Sequence, residues 1–208
     1  MLSNILKITF RNFSREKALT LINVIGLTLG IAACLLISLY VIDEMSYDRF
    51  YPGANNIYRI RNEVLINGNG GGGITTPPIL SETMAAEIPE VVAATRIFNA
   101  GFPVIEYGEH SFSEERYFWT DSTFFDVFEA EFVYGQAEGA LARPNSVVFT
   151  ESMVLKYFGE GINPVGFAIT YKSTGNETEI TGVVKDPPDN THFPFDFLCS
   201  LTSYPQIL

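Results

Sequence analysis

Residues 19–42, "LTLINVIGLTLGIAACLLISLYVI", contain no Asp, Glu, Lys, Arg or His. As a helix this run is about 36 Å long at about 1.5 Å per residue, against a hydrocarbon core of about 30 Å, so it crosses a bilayer with some tilt. Thr20, Asn23, Thr28 and Ser38 interrupt it only mildly. The run is apolar on every face, which disfavours the core helix of a soluble protein, since such a helix keeps a polar stripe for water. Gly26, Gly30 and Ala33 form a small-residue face on which a second membrane helix could pack, or they reflect the general frequency of glycine in membrane helices; the sequence leaves both open. Ile31 to Cys34 have the loose form of a lipoprotein cleavage box, in which Cys34 would become the lipidated end. Leu35 to Ile42 follow at once, where a mature lipoprotein has a polar tether, so the run reads as an uncleaved anchor.

The flanks orient the anchor. Lys7, Arg11, Arg15 and Lys17 precede it, and Asp43, Glu44 and Asp48 follow. Basic flanks stay on the cytoplasmic side, which places residues 1–18 inside and residues 43–208 outside. Leu2, Ile5, Leu6 and Phe13 share one helical face, so residues 1–18 read as a cytoplasmic amphipathic segment along the inner membrane surface, or as a short extension of the membrane helix. Residues 1–42 carry a net charge of +3 and residues 43–208 carry −14, within the total of −11. The acidic outer part has no basic footprint for phosphate, which excludes DNA and RNA as partners. Acidity of this kind attracts cationic cargo or simply keeps a surface soluble. The cysteines are Cys34 and Cys199, one in the membrane run and one near the far end of the outer part, and they make no disulfide framework. An outer part of this size buries a core without staples.

Along the outer part, Tyr58, Ile60, Val64 and Ile66 alternate with Arg59, Arg61 and Glu63, which predicts a half-buried strand over 56–66. The run "NGNGGGG" at 67–73 lacks the GK[ST] of a phosphate loop and has no dinucleotide-binding spacing, so it reads as a flexible loop. Thr76 with Pro77 and Pro78 predicts a helix start, with the helix running to Glu87 before Pro89. A strand is expected over 91–98, a hairpin about Gly108 from 103–107 and 111–119, and a helix over 151–158 capped by Thr150 and ended by Gly159. A second hairpin, 167–172 with 179–185, turns over Ser173 to Asn176. The fold class is therefore mixed α/β (α+β), a two-lobed extracytoplasmic domain preceded by one N-terminal transmembrane helix.

The chemistry-bearing residues form no catalytic constellation. His110 in an expected turn and His192 beside Asn190 and Phe193 have no second ligand at metal spacing, and both read as surface residues. No GxSxG elbow, HExxH helix or nucleophilic cysteine motif occurs. Asp121 and Asp126 flank Phe124 and Phe125, and Asp121 reads as the cap of a helical turn. Catalytic, cofactor-binding and metal-binding residues are all expected to be none. In "YFWTDSTFFDVFEAEFVYG", residues 117–135, Phe124, Phe125, Phe128 and Phe132 fall at near-helical spacing. They form a core face or, alternatively, a hydrophobic cargo groove. Asn176-Glu177-Thr178 has the form of a glycosylation sequon, which means little without a eukaryotic secretory route.

Taken together, these stretches resemble a known family. "ITFRNFSREKALTLINVIGLTLGIAACLLI" (8–37) and "DEMSYDRFYPGANNIYRI" (43–60) are similar to the start of ABC transporter permeases of the MacB/FtsX type. The stretches "DSTFFDVFEAEFVYGQAEGALARPNSVVFTESMVLKYFGEGINPVGFAI" (121–169) and "ITGVVKDPPDNTHFPFDFLCSL" (180–201) resemble that family's MacB-like periplasmic core domain. The resemblance implies a bacterial inner-membrane protein with a periplasmic domain over 43–208, incomplete at its C-terminus. A porter-like part would span about 43–115 and 195–208, and an inserted lobe about 116–194. It further implies that the chain is not itself an enzyme. An ATP-binding ABC subunit would hydrolyse ATP in the cytoplasm, and a second permease copy, the lipid bilayer and a periplasmic adaptor would be the other partners. Family permeases have at least four membrane helices and this chain shows only the first, so an N-terminal fragment of a longer permease is expected. The alternative is a single-span, membrane-tethered extracytoplasmic binding or regulatory domain.

Overall fold

The computed structural model describes residue 11 and residues 15–66, 69–73, 75–99 and 101–204. Leu2, Ile5, Leu6 and Phe13, which carry the amphipathic reading of residues 1–18, lie outside these residues. The chain divides into a unit ending at Tyr47 and a unit from Asp48 onward.

In the first unit, residues Lys17–Glu44 form a continuous helix, α1, of 28 residues. None of its residues is buried by protein, and it is long and apolar enough to cross a membrane. The helix runs through Cys34 without a break, and Gly26 and Gly30 have nothing within 4 Å of where a Cβ would stand.

The first strands of the second unit form a two-stranded hairpin, β1 (Asn62–Ile66) antiparallel to β2 (Asn69–Gly73). Here two expectations are corrected. The strand expected from residue 56 begins only at Asn62, because residues 57–61 have no ladder partner among the described residues; Tyr58 is 79% and Ile60 41% exposed. The glycines of 69–73 are not a loop. Without side chains they still present a full ladder of N–H and C=O groups, and these pair with β1. The first two residues of the glycine-rich run, 67 and 68, lie outside the described residues.

Helix α2 (Leu80–Glu87) starts later than expected, because Pro77 and Pro78 form a turn closed by the Leu80 N–H to the Pro77 carbonyl, and Thr76 caps nothing. It ends at Glu87 as expected, Ile88 being extended ahead of Pro89.

The remaining strands are β3 (Ile97–Asn99), β4 (Val104–Tyr107), β5 (His110–Ser113), β6 (Tyr117–Thr120), β7 (Phe132–Gly135), β8 (Ser146–Thr150), β9 (Ala168–Tyr171), β10 (Glu177–Val184) and β11 (Phe197–Ser200). Two short helices, α3 (Phe124–Val127) and α4 (Glu151–Phe158), lie among them. The strands form one nine-stranded sheet in the order β3-β6-β11-β8-β10-β9-β4-β5, with β7 also paired to β10. β8 with β10 and β6 with β11 run parallel, and the other pairs are antiparallel. Strands of the two expected lobes share this sheet.

Both hairpins form. Gly108, at φ 58°, takes the first position of a two-residue turn that joins β4 to β5, a conformation that costs glycine nothing. The second arm expected over 111–119 splits into β5 and β6, because Tyr117 to Thr120 pair with β11 and β3 instead. Of the strand expected over 91–98, only Ile97 onward joins the ladder. Residues before it bond to side chains: the Ala94 carbonyl accepts from Thr123 and the Arg96 N–H donates to Asp121.

The central strands are buried on both faces, so they read as apolar runs rather than as alternation. Val147 and Phe149 of β8, with Phe197 and Cys199 of β11, face the cluster that holds Val154 and Tyr157 of α4. Val148 and Leu198 face the opposite cluster, with Phe124 and Phe125 of α3 and Phe195. Ile180 and Val183 share the first face although three positions apart, because a register shift between Ile180 and Gly182 adds one residue to β10.

Candidate functional site

The first residues of the second unit are fastened to a loop far along the sequence. Asp48 has a left-handed backbone, φ 57°, and its N–H donates to the Asn190 carbonyl at 3.0 Å. Its Oδ1 accepts from the Thr191 hydroxyl at 2.8 Å and the His192 N–H at 3.0 Å. Its Oδ2 lies 2.8 Å from His192 Nδ1. Burial opposes ionisation of Asp48, but hydrogen bonds from Thr191 and His192 outweigh it and hold its pKa below the ordinary carboxylate value. Tyr51, 6% exposed, adds an aromatic anchor edge-on to Phe128 at 5.2 Å, and burial pushes its phenol pKa up. The "SYDRFY" and "DNTHF" stretches that carry the family resemblance are therefore brought together. His192 is exposed, as its sequence context implied, and is also a partner of Asp48. His110 opens β5 rather than sitting in the turn, stacked on Phe112 at 6.1 Å.

Two further ion pairs lock elements together. Arg96 grips both carboxylate oxygens of Asp121, with Nε to Oδ2 at 2.9 Å and Nη2 to Oδ1 at 2.7 Å, while Nη1 donates to the Pro78 carbonyl at 3.0 Å. Hydrogen bonding to Asp121 raises the Arg96 pKa. The Asp121 side chain is thus a receptor for Arg96 rather than a helix cap; it is the Asp121 carbonyl that meets the Phe124 N–H. On the other side of the fold, Glu114 is 3% exposed and accepts from Lys156 Nζ at 2.7 and 2.9 Å and from the Tyr157 hydroxyl at 2.5 Å. Burial first, then the bond to Glu114, pushes the Tyr157 pKa well up. Lys156 also sits 4.6 Å over the Phe112 ring. Nearby Asp196 has its pKa raised by burial, with Arg116 opposing.

Thr150 does not cap α4. As the last residue of β8 it donates its N–H to the Asp196 carbonyl, and its buried hydroxyl has no partner among the described residues. The Asp186 carboxylate takes the Ser152 N–H instead, at 3.3 and 3.4 Å. Sequence spacing gave no sign of this cap, since Asp186 comes from 34 residues away.

Two open grooves mark the surface of the unit. The larger, about 490 Å³, has Phe124, Phe128 and Phe195 against Tyr51, walls of Pro52, Pro187 and Pro188, and a rim that includes Glu129, Glu131 and Asp186. The smaller, about 350 Å³, lies between β7 and α4 and is lined by Tyr134, Ser152, Leu155 and Ile162. Phe124, Phe125, Phe128 and Phe132 belong to a core cluster, as the spacing implied, and two of them also line the larger groove. Phe132 lies on β7 rather than on a helix. Among the described residues, no group of three or more His, Cys, Asp and Glu is placed to hold a metal ion.

This arrangement, a membrane-crossing helix leading into a mixed α/β sheet domain fastened at its first residues, meets its relatives in the comparisons. Residues 20–208 match the MacB-like periplasmic core domain, and the chain belongs to that family. No curated protein matches the chain. Among solved structures, it is similar to a domain classed with a permease protein of Porphyromonas gingivalis, at 21% identity and a TM-score of 0.63, over 76% of this chain and 68% of that one. It also matches the periplasmic region of MacB from Actinobacillus actinomycetemcomitans, at 16% identity and a TM-score of 0.45, over 59% of this chain and 54% of that one. A third match is the extracellular domain of the noncanonic ABC-type transporter YknZ from Gram-positive bacteria, at 15% identity and a TM-score of 0.39, over 53% and 57%. The fold is that of the family, and the one apolar helix among the described residues, ahead of a periplasmic-type domain, describes a membrane-anchored protein with an extracytoplasmic domain.

Proposed function

We propose that the chain is a permease subunit of a MacB/FtsX-type ABC transporter, in which ATP hydrolysis by a separate cytoplasmic subunit moves the periplasmic domain to export or extract a substrate. The supporting observation is the family match over residues 20–208, which takes in helix and domain together. α1 crosses the inner membrane with its basic N-terminal flank in the cytoplasm, following the distribution of Arg11, Arg15 and Lys17 against Asp43 and Glu44. Residues 43–115 with 195–208 are the porter-like part and 116–194 the inserted part, coupled through their shared sheet. A second copy of the permease, the bilayer and a periplasmic adaptor complete the assembly.

The test uses the full chain in host membranes. In spheroplasts, a Glu109→Cys variant in the exposed β4–β5 turn is expected to react with a membrane-impermeant maleimide, above the parent chain. Cross-linking followed by mass spectrometry is expected to recover a nucleotide-binding ABC subunit. Labelling only after lysis would reverse the orientation. Recovery of no such subunit would favour a tethered binding domain over a transporter.

A further inference from the structure

The larger groove combines two properties that the transport reading does not use. Its accessible inner surface is aromatic and proline-rich: Phe50, 37% exposed, and half-buried Phe128 face the opening, Phe128 meets Tyr51 edge-on at 5.2 Å, and Tyr51, Phe124 and Phe195 form the buried layer behind them. Its rim is acidic and only partly compensated. Glu131 is paired with Lys185 at 2.7 Å, which raises the Lys185 pKa, and Asp186 faces the Ser152 N–H. Glu129 is exposed and has no ion pair or hydrogen bond among the described residues. The lining therefore carries three carboxylates and one ammonium group, and the ammonium group is already taken.

We infer that this groove docks a basic, apolar-flanked peptide segment of a partner protein in the same compartment, with a lysine or arginine at Glu129 and its apolar neighbours on the aromatic floor. Charge complementarity selects the cation: an anionic segment would meet Glu129 and Asp186 without compensation, and an uncharged one would leave Glu129 unpaired. Aromatic faces suit the same occupant, because they accept both aliphatic packing and the stem of a cationic side chain. Proline walls lack N–H donors, so they offer packing surface and carbonyl acceptors to an extended segment. The surface is independent of the ATPase reading, and the failure of either leaves the other standing.

The experiment uses the full chain in phosphatidylcholine nanodiscs, with empty discs subtracted. The probe is a fluorescein-labelled nonapeptide alternating lysine and leucine, read by anisotropy. Saturable binding is expected, weakening as salt rises. Glu129→Lys is expected to lower affinity at least about tenfold and Glu129→Gln about threefold, with unchanged Trp119 emission reporting an intact fold. The inference fails on any of four results. These are no saturable binding, equal affinity for Glu129→Lys, equal affinity for a glutamate–leucine peptide (an apolar occupant), or equal affinity for a lysine–serine peptide (diffuse attraction to the acidic unit).

Discussion

At the residue scale, Asp48 concentrates the most consequence in one side chain. Its left-handed backbone is tolerated by Asp and Asn and costs most other residues energy, and its carboxylate gathers Thr191 and His192 from the far end of the chain. Asp48→Asn keeps the backbone and removes the charge, so the variant isolates the ionic contribution. That contribution is modest, about 1 kcal/mol, because the side chain is 40% exposed and solvent screens it. Its pH dependence has a defined sign. A carboxylate depressed below its ordinary value of 3.8 stabilises the fold fully above that value and loses the contribution as pH falls through its folded pKa. Asp196, raised by burial, acts oppositely, and its ionisation costs stability as pH rises above 3.8. Urea denaturation followed by Trp119 fluorescence is therefore expected to give a wild-type advantage over Asp48→Asn that is constant near neutrality and shrinks below about pH 4. An advantage that grows in acid would contradict the assignment. No spacing rule could have joined Asp48 to residues 143 and 144 positions away, although the resemblance had marked both stretches.

At the element scale, the legible features were those carried by local chemistry. Gly108 between alternating residues announced β4 and β5, and Gly159 announced the end of α4. Illegible features depended on distant partners. The glycine-rich β2 pairs through its backbone, which composition does not encode, and the residues ahead of Ile97 find side chains instead of a ladder. β7 and β10 show such dependence in its tightest form. Gly135 pairs with Gly182, and a Cβ on Gly135, whose φ is 79°, would stand 2.6 Å from the Thr181 carbonyl oxygen and 3.0 Å from the Gly182 Cα. Backbone cannot yield there as a side-chain tip can. Gly135→Ala is expected to destabilise the domain by about 2 kcal/mol, combining a disfavoured backbone conformation with the clash. Gly182→Ala meets the Phe132 ring edge at 2.7 Å, which can rotate, and is expected to cost less. Thermal unfolding of the two variants checks the order, and a Gly135→Ala variant as stable as the parent would refute it.

For the whole molecule, the resemblance captured the anchor-then-domain plan, because a long apolar run and a set of motif stretches need no knowledge of contacts. The sheet order lay beyond it, since strand neighbours are set by packing over long sequence separations. β11, near the end of the described chain, sits between β6 and β8 in the middle of the sheet, with all four of its residues buried. A chain ended after Phe195 is therefore expected to lose cooperative Trp119 unfolding and to become protease-sensitive throughout the second unit. Retained cooperativity would show that the sheet closes without β11. The same placement has a meaning during biogenesis. While the polypeptide is threaded across the membrane, β6 and β8 emerge long before the strand that separates them, and although β3 and β10 can take their other edges, the edges that face β11 wait unpaired until Ser200 has followed. Export and folding of this protein are thus ordered in time, with a window in which a chaperone on the outer side would protect it and a protease would find it open.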